Sequence, residues 1–305
     1  KLLKCKSCLT SIYNFQIFNI YFVSSHFFPP SKLIIKDFFN YYLDYFTTTV
    51  NAIRLFVEPF FPNQNARLGH DYEMWLPRML AGVYHFVTNG LSVVPWFTPS
   101  CCGGTVFFAN PQYLFFSVPQ FLNFYFDPIT TIKITILIFA SLGFLGAFLL
   151  TKNVFNLSKS SSIFMASFFL FNGFFAYRMI IGHLGYHSFM LLPFIAYFLL
   201  QPLDTKSRIK ELSMIAIAAL LSSYVFYSGG VHLLLPILLA VSVIIILAGI
   251  NHQEIKYPIY RAILAVLITL LICSSKLHIG LATLSNFSRD YYLLPGVDNI
   301  FYALW

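Results

Sequence analysis

The chain has 305 residues, 58% hydrophobic and 19% aromatic but only 10% charged, with a formal net charge of +8. Soluble domains carry about 25% charged residues, so this composition excludes a soluble globular class and fits a multi-span membrane protein whose outside is solvated by lipid. The positive balance does not point to nucleic acid, because the basic residues sit in short links between apolar runs and form no Lys/Arg stripe.

In chain order, residues 9–28 are long enough to span, but Asn14, Gln16, Asn19 and His26 interrupt them, so a span and an aromatic interfacial helix both stay open. No A-x-A-like cleavage site follows the basic start, so a removable signal peptide is not assigned. Residues 31–62 mix aromatics with Lys32, Lys36, Asp37, Asp44, Arg54 and Glu58, which suits an amphipathic segment along the membrane surface. Residues 67–112 are the most polar and irregular stretch. They hold His70, Asp71 and Glu73, then the turn formers Pro95, Pro99, Gly103, Gly104 and Pro111. Within them Leu76, Met79, Leu80, Val83, Phe86 and Val87 predict an amphipathic helix over 74–87. The aromatic run 111–126, broken by Pro119, is short for a span and suits a surface or re-entrant helix.

Six spans are expected after that, at 130–150, 161–179, 186–203, 211–227, 231–250 and 260–275. The expected fold is an all-α polytopic membrane protein with six transmembrane helices, an N-terminal span left open, and a large outer loop containing amphipathic helices. In domain terms, 1–30 is the open span, 31–128 the outer loop, 129–275 the helix bundle and 276–305 a further outer loop. The start at Lys1 and the stop at Trp305 read as a piece of a longer protein. Cys5 and Cys8 form a CxxC, but no second pair completes a zinc site. Adjacent Cys101 and Cys102 read as small residues in a tight turn.

Charge orients the spans. If 130–150 runs inward, the inward links hold Lys152, Lys159, Lys206, Arg208, Lys210, Lys256 and Arg261, while the outward links 180–185 and 228–230 hold no Lys or Arg. The loop 30–128 and the tail from 276 are then outside. That topology collects His70, Asp71, Glu73, Arg178, His183, His187, His232, Lys276 and Arg289 on one face. Ionisable groups near the membrane are functional candidates, yet each has a plainer reading. Asp71 and Glu73 are favoured at a helix start and would cap 74–87. Arg178 equally suits an interfacial anchor. His183 and His187 have i, i+4 metal spacing but lack the Glu of HExxH. His232 reads most simply as a buried or interfacial polar residue.

Gly69-His70-Asp71-Tyr72-Glu73, Pro95-Trp96-Phe97-Thr98-Pro99 with Gly103-Gly104, Phe108-Ala109-Asn110-Pro111-Gln112, Phe171-Asn172-Gly173-Phe174, Arg178-Met179 with Gly182-His183-Leu184, Gly229-Gly230-Val231-His232 and the tail Asn286 to Tyr292 occur in this order. In that layout the chain resembles the GT-C class of glycosyltransferases and, more narrowly, the bacterial YfhO-like membrane proteins. The resemblance covers about 60–305 and implies further C-terminal helices. It also implies a bacterial inner-membrane location, a polyprenyl-phosphate sugar donor and a cell-envelope glycan, lipid or protein acceptor.

Under that resemblance Asp71 is the general base, and Glu73 assists or helps hold a divalent ion, Mg or Mn. Arg178, Lys276 and Arg289 are the cations for the donor phosphate. His70, His183, His187, His232 and Trp96 are possible substrate contacts, with Trp75 and Tyr113 as further sugar-stacking aromatics. The competing reading is a non-enzymatic transporter or lipid-linked-glycan handling factor. A transporter is expected to carry its charges and broken helices near the midplane in paired halves.

Overall fold

In lipid the backbone has no water to bond, so uninterrupted apolar runs settle as helices, and the described chain is mostly helical. A computed structural model describes residues 71–99, 104–201, 208–252 and 255–286. The expected 9–28 span, the 31–62 segment, Cys5, Cys8, His70, Cys101, Cys102, Arg289 and the tail from 287 lie outside the described residues.

The helices are α1 (Tyr72–Asn89), α2 (Val118–Leu122), α3 (Pro128–Asn153), α4 (Lys159–Leu170), α5 (Phe174–Ile180), α6 (Leu192–Leu200), α7 (Arg208–Tyr227), α8 (Leu234–His252) and α9 (Lys256–Ser285). A 3-10 segment, Leu184–Leu191, leads into α6, and a shorter one, Val231–Leu233, leads into α8. Between α1 and α2, β1 (Phe97–Thr98) pairs antiparallel with β2 (Thr105–Val106), Phe97 opposite Val106. Five helical segments among the described residues are long and apolar enough to cross a membrane: Pro128–Asn153, Lys159–Ile180, Arg208–Tyr227, Val231–Ile250 and Lys256–Thr283. The protein is thus a multi-pass helical membrane protein.

Four expectations are refined. The 161–179 span divides into α4, which ends at Leu170, and α5, whose N-cap is Gly173 with φ of +83° and whose first N–H, that of Phe174, is accepted by the Asn172 side chain. The 186–203 span is 3-10 over its first half and leaves an apolar helical stretch of only Leu184–Leu200. The 111–126 run folds as turns around buried aromatics with only the short α2 helical; Phe107, Phe108, Tyr113 and Phe115 pack with Phe86 of α1. The last span continues to Ser285, so Lys276 belongs to a helix and not to a tail.

α3 is the centre of the bundle, packing against α4, α6 and the 3-10 segment, while α7 packs against α6 and α9. Its start is fixed locally. Pro128 takes the first position, where no intrahelical N–H is needed. The Asp127 carboxylate accepts from the N–H groups of Ile129 and Thr130, both at 3.1 Å. Gly143 and Gly146 let neighbours approach closely: a Cβ at Gly143 would meet Met190 Cε at 2.6 Å, and one at Gly146 the Phe194 backbone N at 3.0 Å.

The end of the bundle where α6 ends and α7 and α9 begin carries a buried Arg261. It donates to Glu211 Oε1 at 3.2 Å and to the carbonyls of Leu199 and Gln201 at 3.3 and 2.9 Å. Those carbonyls belong to the last turn of α6 and would otherwise lack donors. One guanidinium thus ties α6, α7 and α9 together.

Candidate functional site

The opposite end of the bundle is assembled from segments far apart in sequence, and the joints are backbone against backbone. Gly182 has φ of +85°, and a Cβ there would lie 2.6 Å from the Tyr72 N. The Asp71 N–H donates to the Ile181 carbonyl at 3.2 Å. The Tyr72 hydroxyl donates to the Met179 carbonyl. Burial pushes that hydroxyl far above its ordinary range, so it stays protonated and able to donate. A Cβ on Gly185 would lie 3.0 Å from the Gly229 carbonyl oxygen, and one on Gly229 would lie 2.4 Å from the Gln112 carbonyl oxygen. Three links meet in this way: the polar loop, the 181–185 turn and the 228–230 turn.

Asp71 is at the N-cap position of α1, but its side chain makes no capping bond. It turns to His183, whose Nε2 lies 3.0 Å from Asp71 Oδ2. Arg178 Nη1 lies 2.9 Å from His183 Nδ1. A guanidinium can only donate, so Nδ1 accepts and the imidazole proton sits on Nε2, directed at the carboxylate. The ring in this arrangement is neutral and links a cation to an anion. The side chains of His183 and Asp71 are 27% and 43% exposed, so the carboxylate is open to a ligand.

Aromatic rings hold the cation in place. The Arg178 guanidinium carbon is 4.5 Å from the Tyr186 ring centre and 5.4 Å from that of Phe174. Tyr186 also packs on His183 and on His232, at centroid distances of 5.4 and 4.3 Å. Arg178 Nε is buried without an acceptor.

The expected residues separate into groups. Asp71, Arg178, His183 and His232 come together around Tyr186. Glu73 points elsewhere: it is exposed in the first turn of α1, and two residues along a helix turn a side chain to the far side. The capping reading therefore fails for the Asp71 side chain and survives for Glu73, as an acid near the positive helix end.

His187 is fully buried in a different network. Its Nδ1 donates to the Leu184 carbonyl at 2.6 Å, and its Nε2 accepts from the Tyr224 hydroxyl at 2.8 Å. Tyr224 in turn accepts from the Val118 N–H at 3.0 Å. Both imidazole nitrogens are satisfied, and the ring pins α2 and α7 to the 3-10 segment. Substrate contact is corrected to a structural role, and the His183/His187 metal pair does not form.

Lys276 is 2% exposed on α9, its ammonium 5.6 Å from the Tyr227 ring centre and 5.9 Å from that of Phe226. It lies about 30 Å along the helix from Lys256, at the depth of the Asp71 end, but no contact joins it to Asp71, His183 or Arg178 among the described residues. Trp96 is exposed and stands edge-on to Phe108 at 5.8 Å, outside the cluster. Trp75 and Tyr113 are buried.

Among the described residues no group of three or more His, Cys, Asp or Glu side chains is placed to hold a metal ion. Asp71 is engaged by His183 and Glu73 faces away, so this donor set does not fit a divalent ion. Sequence reasoning did not find Tyr186, although its place three residues after His183 was the available signal. It also passed over Arg78, which shares a helical face with Asp71 at i+7.

The class defined here is a multi-pass helical membrane protein that gathers a carboxylate, an imidazole and a guanidinium at one end of its bundle. No family model matches the chain, and neither a curated protein nor a solved structure matches it. A functional reading therefore rests on the residues and their geometry.

Proposed function

We propose that this protein is a membrane glycosyltransferase of GT-C type. It transfers a sugar from a polyprenyl-phosphate donor to a hydroxyl-bearing cell-envelope acceptor, on the outer face of a bacterial plasma membrane. The observation that carries the reading is the Arg178–His183–Asp71 relay, with distances of 2.9 and 3.0 Å. Transfer from a lipid phosphate needs a carboxylate to take the acceptor's proton and a cation to receive the charge on the departing phosphate. Here the two are separated by one imidazole.

In the proposed step the acceptor hydroxyl oxygen forms a bond to the anomeric carbon as the bond from that carbon to the phosphate oxygen breaks. The hydroxyl proton passes to Asp71, and the bonding pair leaves with the lipid phosphate beside Arg178. Attack opposite the leaving group inverts the anomeric centre. His183 donates to Oδ2 and so fixes the carboxylate. Asp71 Oδ1 makes no hydrogen bond among the described residues, which suits it to the acceptor. Tyr186 and His232 form the aromatic wall beside the cation.

The test is sugar transfer from a polyprenyl-phosphate donor by the full chain in membranes. Asp71→Asn keeps the shape and removes the base. The rate should fall by about 10²–10⁴-fold with the thermal midpoint unchanged. A rate equal to that of the unaltered protein would refute Asp71 as base.

A further inference from the structure

The face of α1 beyond Asp71 carries a second set of donors. Residues 71, 75 and 78 follow i, i+4, i+7 spacing, so Asp71, Trp75 and Arg78 share one stripe. The seven-residue step places the Arg78 backbone about 10 Å along the helix from Asp71. Trp75 is 5% exposed, and its Nε1 is buried without an acceptor; Arg78 Nε is buried without one as well. The Arg78 guanidinium carbon lies 4.6 Å from the Tyr113 ring centre and 5.4 Å from that of Trp75. Rings stacked on a guanidinium leave its N–H edge as the part available to an acceptor.

Buried N–H groups are normally paired, and leaving them unpaired is costly. Two such donors one turn apart, one of them cationic, match a ligand that offers several oxygens and negative charge. The protein provides no acid for them among the described residues: Asp71 is turned to His183, and Glu73 is about 200° around the helix from Trp75. The opposite side of α1 and the turn after it expose Leu80, Tyr84, Val87 and Leu91, an apolar stripe at the spacing of a surface-lying helix. That stripe suits a helix lying along a membrane surface, where lipid phosphates are the abundant anions.

We propose that Trp75 and Arg78, backed by Tyr113, form a phosphate-binding subsite distinct from Arg178, which takes the phosphate of a lipid-borne ester. The subsite does not depend on the transferase reading, because binding is measured without turnover.

The experiment uses the full chain in maltoside detergent, titrated with dodecyl phosphate and followed by calorimetry. Saturable binding is expected. Trp75→Phe keeps the ring and removes the N–H, and should weaken binding about fivefold; Arg78→Gln should weaken it by about tenfold or more. Arg178→Gln, which removes the cation proposed for the donor phosphate, should leave in place the part of the binding that depends on Trp75 and Arg78. Competition with inorganic phosphate identifies the source. Binding of dodecyl phosphate that inorganic phosphate does not compete away supports a lipid-borne ligand, and equal competition by inorganic phosphate overturns the lipid-borne assignment. The proposal is overturned if both Trp75→Phe and Arg78→Gln bind as the unaltered chain does, or if only Arg178→Gln abolishes binding. Trp75→Phe, a ring-for-ring change, keeps the test valid if Arg78→Gln does not fold.

Discussion

Gly182 and Gly173 share an unusual backbone conformation, with φ of +85° and +83°, but not the same surroundings. That makes them a matched pair. Replacing either by Ala forces a Cβ into the left-handed region, at about 1–2 kcal/mol. Either change also reduces the freedom of the unfolded chain, by an amount that cancels between the two. At Gly173 nothing lies within 4 Å of the new Cβ, so the conformational cost is the whole effect. At Gly182 the Cβ would lie 2.6 Å from the Tyr72 N and 3.1 Å from the Asp71 carbonyl carbon. Those are backbone atoms at a helix start and cannot rotate away. Relief requires moving the start of α1, which weakens the 3.2 Å bond from the Asp71 N–H to the Ile181 carbonyl. Overpacking of this kind adds about 1–3 kcal/mol. Gly182→Ala should therefore cost about 2–5 kcal/mol and Gly173→Ala about 1–2 kcal/mol. Denaturant titration of both variants in the same detergent gives the difference. Nitrogen chemical shifts of the His183 ring should also change in Gly182→Ala alone. Equal destabilisation by the two changes would refute the claim that α1 is seated on this turn.

Two further predictions follow from the hydrogen-bond geometry. Tyr224→Phe removes the donor to His187 Nε2 and the acceptor for the Val118 N–H together. It should cost about 1–3 kcal/mol per stranded group, and hydrogen exchange should accelerate at Val118 and through α2. Asp127→Ala removes the cap of α3 and should cost about 0.5–2 kcal/mol. The Thr130 side-chain bond, helped by the backbone N–H groups of Thr130 and Ile129, holds the Asp127 carboxyl below its ordinary value. The folded state thus favours the ionised form, so the cap's contribution is full at neutral pH and fades as pH falls through that lowered value. The gap between Asp127→Ala and the unaltered chain should narrow in acid; a gap constant with pH would refute the cap.

The bundle was readable because lipid leaves a long apolar run few options, and the bounds of α3, α7 and α8 follow their apolar runs closely. The interruptions were harder to see. Asn172-Gly173 sits inside a run of Phe and leaves hydropathy almost unchanged, so the 161–179 stretch read as continuous. Lys276 looked like the end of a span because a lone Lys is costly in lipid. In the fold it lies under the rings of Phe226 and Tyr227, and a helix can pass through it. At the site, the loop carboxylate and the span-end Arg178 and His183 were visible as residue types on one predicted face. Their relay was not visible, since it depends on Gly182 letting two backbones touch. The acidic pair was misleading for a local reason. Asp71 and Glu73 share a face only in extended chain, and the helix begins between them at Tyr72.

The joint at Gly182 also constrains how the chain matures. The Tyr72–Met179 bond closes a separation of 107 residues. At synthesis rates of about 5–20 residues per second, α1 emerges roughly 5–20 s before the turn that receives it. During that interval its exposed stripe of Leu80, Tyr84, Val87 and Leu91 has the bilayer surface to rest on. The carboxylate, however, has no imidazole to meet until α5 is made. The Asp71–His183 contact is therefore a late event of biogenesis: it forms only once α3, α4 and α5 have been made, and His232 joins it later still, after α7.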